Sequence, residues 1–316
     1  MSREAVSAAD PRPPGSQGEK PVTPQPLSAT ERLVGRAVHV RRRGRFGSSP
    51  LLERIAVVLA LLIVLIAIIG PWIAPHDPYA VNLPNQLKAP GSGHWLGTDV
   101  NGRDVLSRVL TGARVTLSAT AIVLAVATVV GVLIGTIAGL GNTIVDEILM
   151  RLCDIGLALP SIVLALGLAA ALGPSLQSAV IAMAVTWWPG YARLVRTVVR
   201  EVRDAEFVDS ARMLGVGRLR LAFRHVLPNS LSILWVQVSL DVAAVMLTIS
   251  GLSFIGVGAQ VPSAEWGAAI AAAANNVVNG WWALLFPGLA IAFTAIVFNL
   301  VGDWLRVQTD PTLRGR

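Results

Sequence analysis

Fifteen consecutive apolar residues, Ile55 to Ile69, form the least negotiable part of this chain. In water such a run would have to be covered on every side. In a bilayer it needs only to be a helix, which satisfies its own backbone N–H and C=O groups. About 20 apolar residues cross the ~30 Å of hydrocarbon, and the segment at about 55–74 supplies them. Five further segments repeat the pattern, at about 116–139, 153–172, 176–194, 230–250 and 283–303. The fourth contains Pro189 and is flanked by Trp187 and Trp188, so its ends are the least defined. With 53% hydrophobic and 14% charged residues over 316 positions, a soluble domain is excluded. The expected fold class is an all-α polytopic membrane protein with six transmembrane helices.

Basic residues set the expected orientation. Ten precede the first span, Arg151 lies between the second and third, eight run from Arg193 to Arg224, and three follow the sixth, 22 of the 26 in all. The opposite side carries only Lys88, Arg103, Arg108 and Arg114. Both termini and the 200–228 segment are therefore expected in the cytoplasm. The net charge of +7 is explained by these juxtamembrane clusters and does not point to nucleic acid.

Residues 1–50, rich in Pro, Ser, Gly and Gln, read as a disordered cytoplasmic tail, and 51–316 as the transmembrane domain. The apolar run begins too late and is too long for a signal peptide. A single cysteine, Cys153, excludes an intramolecular disulfide and a cysteine-based metal cluster. Four histidines, His39, His76, His94 and His225, are scattered, and no metal site is expected. Asp99 to Asp104 begins like a calcium loop, but position six is not Gly and position twelve is Leu110. Asp104 to Leu117 reads instead as an amphipathic helix lying at the outer interface before the second span.

The most patterned polar stretch is Arg200 to Pro228. Phe207, Ala211 and Leu214 fall on one helical face beside Val208, while Glu206, Asp209 and Arg212 face away. Gly215 and Gly217 stop that helix. A second short helix sets Leu219, Ala222, Phe223 and Val226 apart from Arg220 and Arg224, ending near Leu227 and Pro228. Two helical pieces around a bend suit a grip by another protein; a pair lying on anionic lipid is the alternative.

Asp209-Ser210-Ala211, then Gly215, then Leu227-Pro228 keep the frame of the cytoplasmic coupling loop of permease subunits in bacterial ABC importers, with Asp for Glu and Ser for Ala at its start. Gly97-Thr98-Asp99 with Gly102 to Arg108, Pro189 to Arg193, Leu252 to Gly256, Trp266-Gly267, Phe286-Pro287-Gly288, Gly302-Asp303 and Asp310-Pro311 follow in one order. From about residue 50 to 314 the chain resembles the C-type permease of dipeptide and oligopeptide ABC importers, a group that includes nickel and glutathione systems. It departs from that group at Ile249, where many members carry Glu, and at Val307, where they carry an acid.

The resemblance implies the type I importer permease fold and a complex with a second permease, two ATPase subunits or domains and an extracytoplasmic peptide-binding protein. It also implies Glu206, Phe207, Asp209, Ser210, Ala211, Leu214, Gly215, Arg220, Arg224, Leu227 and Pro228 as the ATPase-coupling loop. ATP and magnesium would be bound by the partners. The sequence agrees on that point, because neither lysine, Lys20 or Lys88, follows a phosphate-binding Gly-rich loop.

Two features remain inside the spans. Gly131, Gly135 and Gly139 let another helix approach closely, within this subunit or at an interface. Asp241 is the one carboxylate well inside a span, and it either lines the substrate path or ties two helices. An intramembrane serine protease built on Gly251-Leu252-Ser253 fails for want of a histidine base in any span. A secondary transporter is the stronger rival, but it would call for more intramembrane acids and bases.

Overall fold

The computed structural model describes residues 50–203, 208, 213, 217 and 227–309. Among them, regular structure is helical apart from two isolated bridges. The helices are α1 (Pro50–Ile73), α2 (Val105–Leu140), α3 (Thr143–Ala158), α4 (Ser161–Leu172), α5 (Leu176–Arg203), α6 (Leu227–Ile255), α7 (Trp266–Ala273) and α8 (Val277–Thr309).

Four helical stretches are long and apolar enough to cross a membrane, at Glu53–Ile73, Val105–Leu140, Ile233–Ile255 and Trp266–Gln308. The α3–α4 pair makes a fifth if it is one broken span. The expected count of six is therefore not reached by length and composition. In α5 the apolar start is short: Trp187, Trp188, Pro189, Gly190 and Tyr191 follow it and dilute its hydropathy, and Arg193, Arg196, Arg200, Glu201 and Arg203 come after them. The helix itself runs unbroken through Pro189.

Two expectations are corrected. The segment 153–172 is not one straight helix, because α3 and α4 meet at 85°. Pro160 supplies the reason: it lacks an N–H and disfavours helical backbone at the residue before it, and Leu159 is extended at φ −102°, ψ 146°. Nor is 104–117 a separate interfacial helix. It is the first third of α2, capped by Asp104, whose side chain accepts from Ser107 N. The lone Gly112 costs a helix about 1 kcal/mol without breaking it. This third is also buried, with Val105, Ser107, Arg108 and Ala113 all covered, so tertiary packing extends the helix where amphipathicity alone suggested a surface turn.

α2 forms the axis of the bundle, packed along α5 and touching α1, α6, α7 and α8. The main core joins Val123 and Leu124 of α2, Ala165 and Ala169 of α4, Met183 of α5 and Val245 and Ile249 of α6. On α1, by contrast, Val58, Leu61, Leu65 and Ile68 remain exposed, as a helix facing lipid or another subunit requires.

Residues 74–104 fold into a hydrogen-bonded knot at the N-terminal end of α2. Asp99 Oδ1 accepts from Asn101 N at 2.8 Å and Arg103 N at 2.9 Å. Gly102 has φ +73°, and a Cβ there would overlap the carbonyl of Asn82. Arg108 donates to Pro78 O (3.1 Å) and Ser263 O (2.7 Å), and Trp282 Nε1 donates to Thr98 O at 3.0 Å. The Gly-Thr-Asp to Ser-Arg run is thus a structural clasp between the knot, α2 and α8.

Candidate permeation site and family

Residues of α3 to α6 converge on a cavity of about 300 Å³, lined by Leu157, Ser161, Thr186, Trp187, Gly190, Tyr191, Leu194, Gln237 and Asp241. Asp241 is half-buried on its edge. Its carboxylate accepts from Gln237 Nε2 at 3.1 Å and Trp187 Nε1 at 3.4 Å. Both donors are neutral, and among the described residues no ion pair reaches it. A carboxylate in an apolar segment that lacks a cation is costly to keep charged.

Gly131, Gly135 and Gly139 lie against α5. A Cβ on Gly135 would fall 2.5 Å from Ala192 O, and one on Gly131 or Gly139 would overlap Tyr191 Cβ or Val199 Cγ1. Their neighbours are within this chain, and the backbone of α2 meets α5 without intervening side chains.

The C-terminal end of α5 is held by charge. Buried Asp146, in the first turn of α3, accepts from Arg196 through both carboxylate oxygens and from Arg200. Arg203 Nη1 donates to Gly139 O at 3.1 Å, and Arg193 pairs with Asp154. The chain that leaves this end leads into the expected coupling loop. Of that loop, Glu206, Phe207, Asp209, Ser210, Ala211, Leu214, Gly215, Arg220 and Arg224 lie outside the described residues. Val208 is buried, Met213 is 90% exposed, and Leu227 and Pro228 open α6, where a proline in the first turn loses no helical hydrogen bond.

Sequence reasoning missed Glu265. Its side chain is fully buried and accepts from Ala268 N (2.8 Å), Ser250 Oγ (2.9 Å) and Thr116 Oγ1 (3.4 Å), joining α7, α6 and α2. Its side chain caps the Trp266–Ala273 helix, but Glu is not among the residues that usually mark a helix start, so no local sign of it stood in the sequence. It also missed that the fold gathers His76, His94 and Asp104 into one group.

Residues 131–315 match the family model described as the binding-protein-dependent transport system inner membrane component. The chain belongs to this family of ABC importer permeases. Residues 54–90 further match the N-terminal transmembrane domain of oligopeptide transport permease C. The probable D,D-dipeptide permease DdpC of Escherichia coli K12 is 45% identical over 85% of this chain and 90% of its own length. The di/tripeptide permease DppC of Pseudomonas aeruginosa is 39% identical over 80% and 86%. The nickel permease NikC of Escherichia coli K12 is 38% identical over 85% and 97%. In fold the chain is similar to a chain of the inward-facing MetNI methionine ABC transporter, with TM-score 0.53 and 16% identity over 64% of this chain and 96% of that one. As a member, the chain is a multi-pass inner-membrane transport subunit that works with other importer components.

Proposed function

We propose that this chain forms half of the translocation pore of an ATP-driven importer of dipeptides or oligopeptides. The observation that carries the reading is Asp241, a carboxylate at a membrane-embedded cavity that accepts from the neutral donors Trp187 and Gln237 and, among the described residues, meets no cation. A free peptide brings an ammonium that such a group attracts. The names of DdpC and DppC support the same cargo class. A second reading, nickel import, is favoured by the likeness to NikC.

In this reading α1, α2, the bent α3–α4 pair, α5, α6 and α8 are the six spans. The distribution of Lys and Arg supports both termini and the 200–228 loop in the cytoplasm. The second permease completes the pore, the extracytoplasmic binding protein delivers the peptide, and two ATPase subunits hold ATP and magnesium. The ATPase that grips the coupling loop moves α5 and α6 as it closes, and the bundle rocks between inward- and outward-open states.

The test is uptake in a strain deleted for this chain and complemented with it. Restored accumulation of a labelled dipeptide is expected, abolished when the partner ATPase is inactivated. Restoration of labelled nickel uptake with none of peptide would overturn the peptide reading in favour of the second.

A further inference from the structure

We propose that His76, His94 and Asp104 form a binding site for one borderline divalent transition cation, of the zinc, nickel or cobalt(II) class, at the N-terminal end of α2. The three residues are 18 and 10 positions apart in sequence and belong to no metal motif. Folding brings one ligand atom from each within 4.8 Å of the others. His94 Nδ1 is 2.9 Å from Asp104 Oδ1, His76 Nδ1 is 3.8 Å from that same oxygen, and the ring centroids are 4.8 Å apart. Ligands around a tetrahedral zinc stand about 3.3 Å from one another, given bonds of ~2.0 Å, so side-chain adjustments of an ångström or so close the set.

A structural hydrogen bond accounts for only part of this. His94 donating to Oδ1 uses one ring, yet the second Nδ1 converges on the same oxygen at a distance too long for a hydrogen bond. Meanwhile the other carboxylate oxygen is fully engaged. Asp104 Oδ2 accepts from Ser107 N at 2.8 Å and Ser107 Oγ at 2.7 Å, and Ser107 Oγ accepts from His76 N at 3.0 Å. Ser107 therefore turns Oδ1 toward the rings and anchors the His76 backbone beside it, which is how outer-shell bonds orient metal ligands.

Burial is graded in the same sense. The Asp104 side chain is 1% exposed, that of His94 18% and that of His76 45%. An ion has a fixed carboxylate beneath it, an open side toward solvent and one ring free to swing. Two imidazoles and a carboxylate select borderline cations over magnesium or calcium, which prefer all-oxygen sites. With three protein ligands, one or more positions stay open to water. The ion would tie together the chain leaving α1, the turn at His94 and the cap of α2.

The test uses the assembled importer, purified in detergent through a tag without histidine and stripped with chelator. Zinc, nickel or cobalt(II) chloride is added, and bound metal per complex and the unfolding temperature are measured. The expected result is one more ion per complex in wild type than in the His76→Gln/His94→Gln double variant. Each single variant should bind at least tenfold more weakly, and a metal-induced rise in unfolding temperature should appear only in wild type. Magnesium and calcium should not compete. Equal stoichiometry and affinity in wild type and double variant would overturn the proposal. Should the double variant not assemble, cobalt(II) absorption of the wild type decides alone, since no ligand-field band above that of free cobalt is the negative outcome. Neither measurement involves transport, so the result stands apart from the identity of the cargo.

Discussion

Arg196 of α5 donates from both Nε and Nη2 to the two carboxylate oxygens of Asp146 in α3, the second bond at 2.7 Å. A planar guanidinium meeting a carboxylate along two parallel bonds is stronger and more directional than a point charge. Arg200 adds a third donor to the same acid, so three groups fix the angle at which α5 leaves the bundle.

Arg196→Lys should therefore not behave as a conservative change. One bond of the pair is lost in a site only partly open to water, at a cost of about 1–2 kcal/mol. The expected outcome is a lower unfolding temperature of the purified complex together with reduced uptake. Wild-type stability in this variant would mean that the pair contributes no more than an exposed surface bridge.

Gly135→Val should disrupt the contact between α2 and α5, because the new side chain begins 2.5 Å from Ala192 O. Overpacking of this kind costs about 1–3 kcal/mol. Gly167→Ala, where a Cβ meets nothing within 4 Å, is the control. Yield and unfolding temperature of the two variants, compared side by side, are the measurement, and equal tolerance would show that the helices can separate freely.

Asp241→Asn keeps the shape of the side chain and removes its charge. For a dipeptide with a free ammonium, KM for uptake should rise roughly tenfold, equivalent to ~1.4 kcal/mol, with a much smaller change for an N-acetylated peptide. Identical shifts for both peptides would make Asp241 a helix tie rather than a substrate contact.

Phe207→Ala should weaken retention of the ATPase subunits by ~2 kcal/mol, the usual cost of losing an aromatic anchor from an interface. A pull-down from detergent, with cysteine cross-linking from position 207, reads it directly. Full retention without cross-links would favour a loop lying on lipid.

Apolar length was the most legible feature of the sequence: the run from Ile55 to Ile69 became most of α1, because a helix in a bilayer answers to few other demands. The spacing of Gly131, Gly135 and Gly139 likewise announced a close helix contact, although only the fold names α5 as the neighbour. Pro160 was in plain view, yet the apolar letters around it concealed an 85° turn. The extension of α2 back to Val105 was hidden for the opposite reason, since polar residues that look like a surface are there covered by α7 and the knot. Glu265 and the His76, His94, Asp104 group depend on contacts between distant segments, which no local period records.

α2 spans 36 residues without a break, which at 1.5 Å per residue gives a rod of ~54 Å, well beyond the bilayer core. One end is fastened to the knot by the contacts of Asp104 with His94 and of Arg108 with Pro78, and at the other the Gly139 carbonyl holds Arg203, the last residue of α5. A stiff rod pinned this way works as a lever: a tilt of about 10° swings one tip by roughly 9 Å relative to the other. In the proposed cycle, a push arriving beside Arg203 would reach the far end of this rod without meeting an intervening joint.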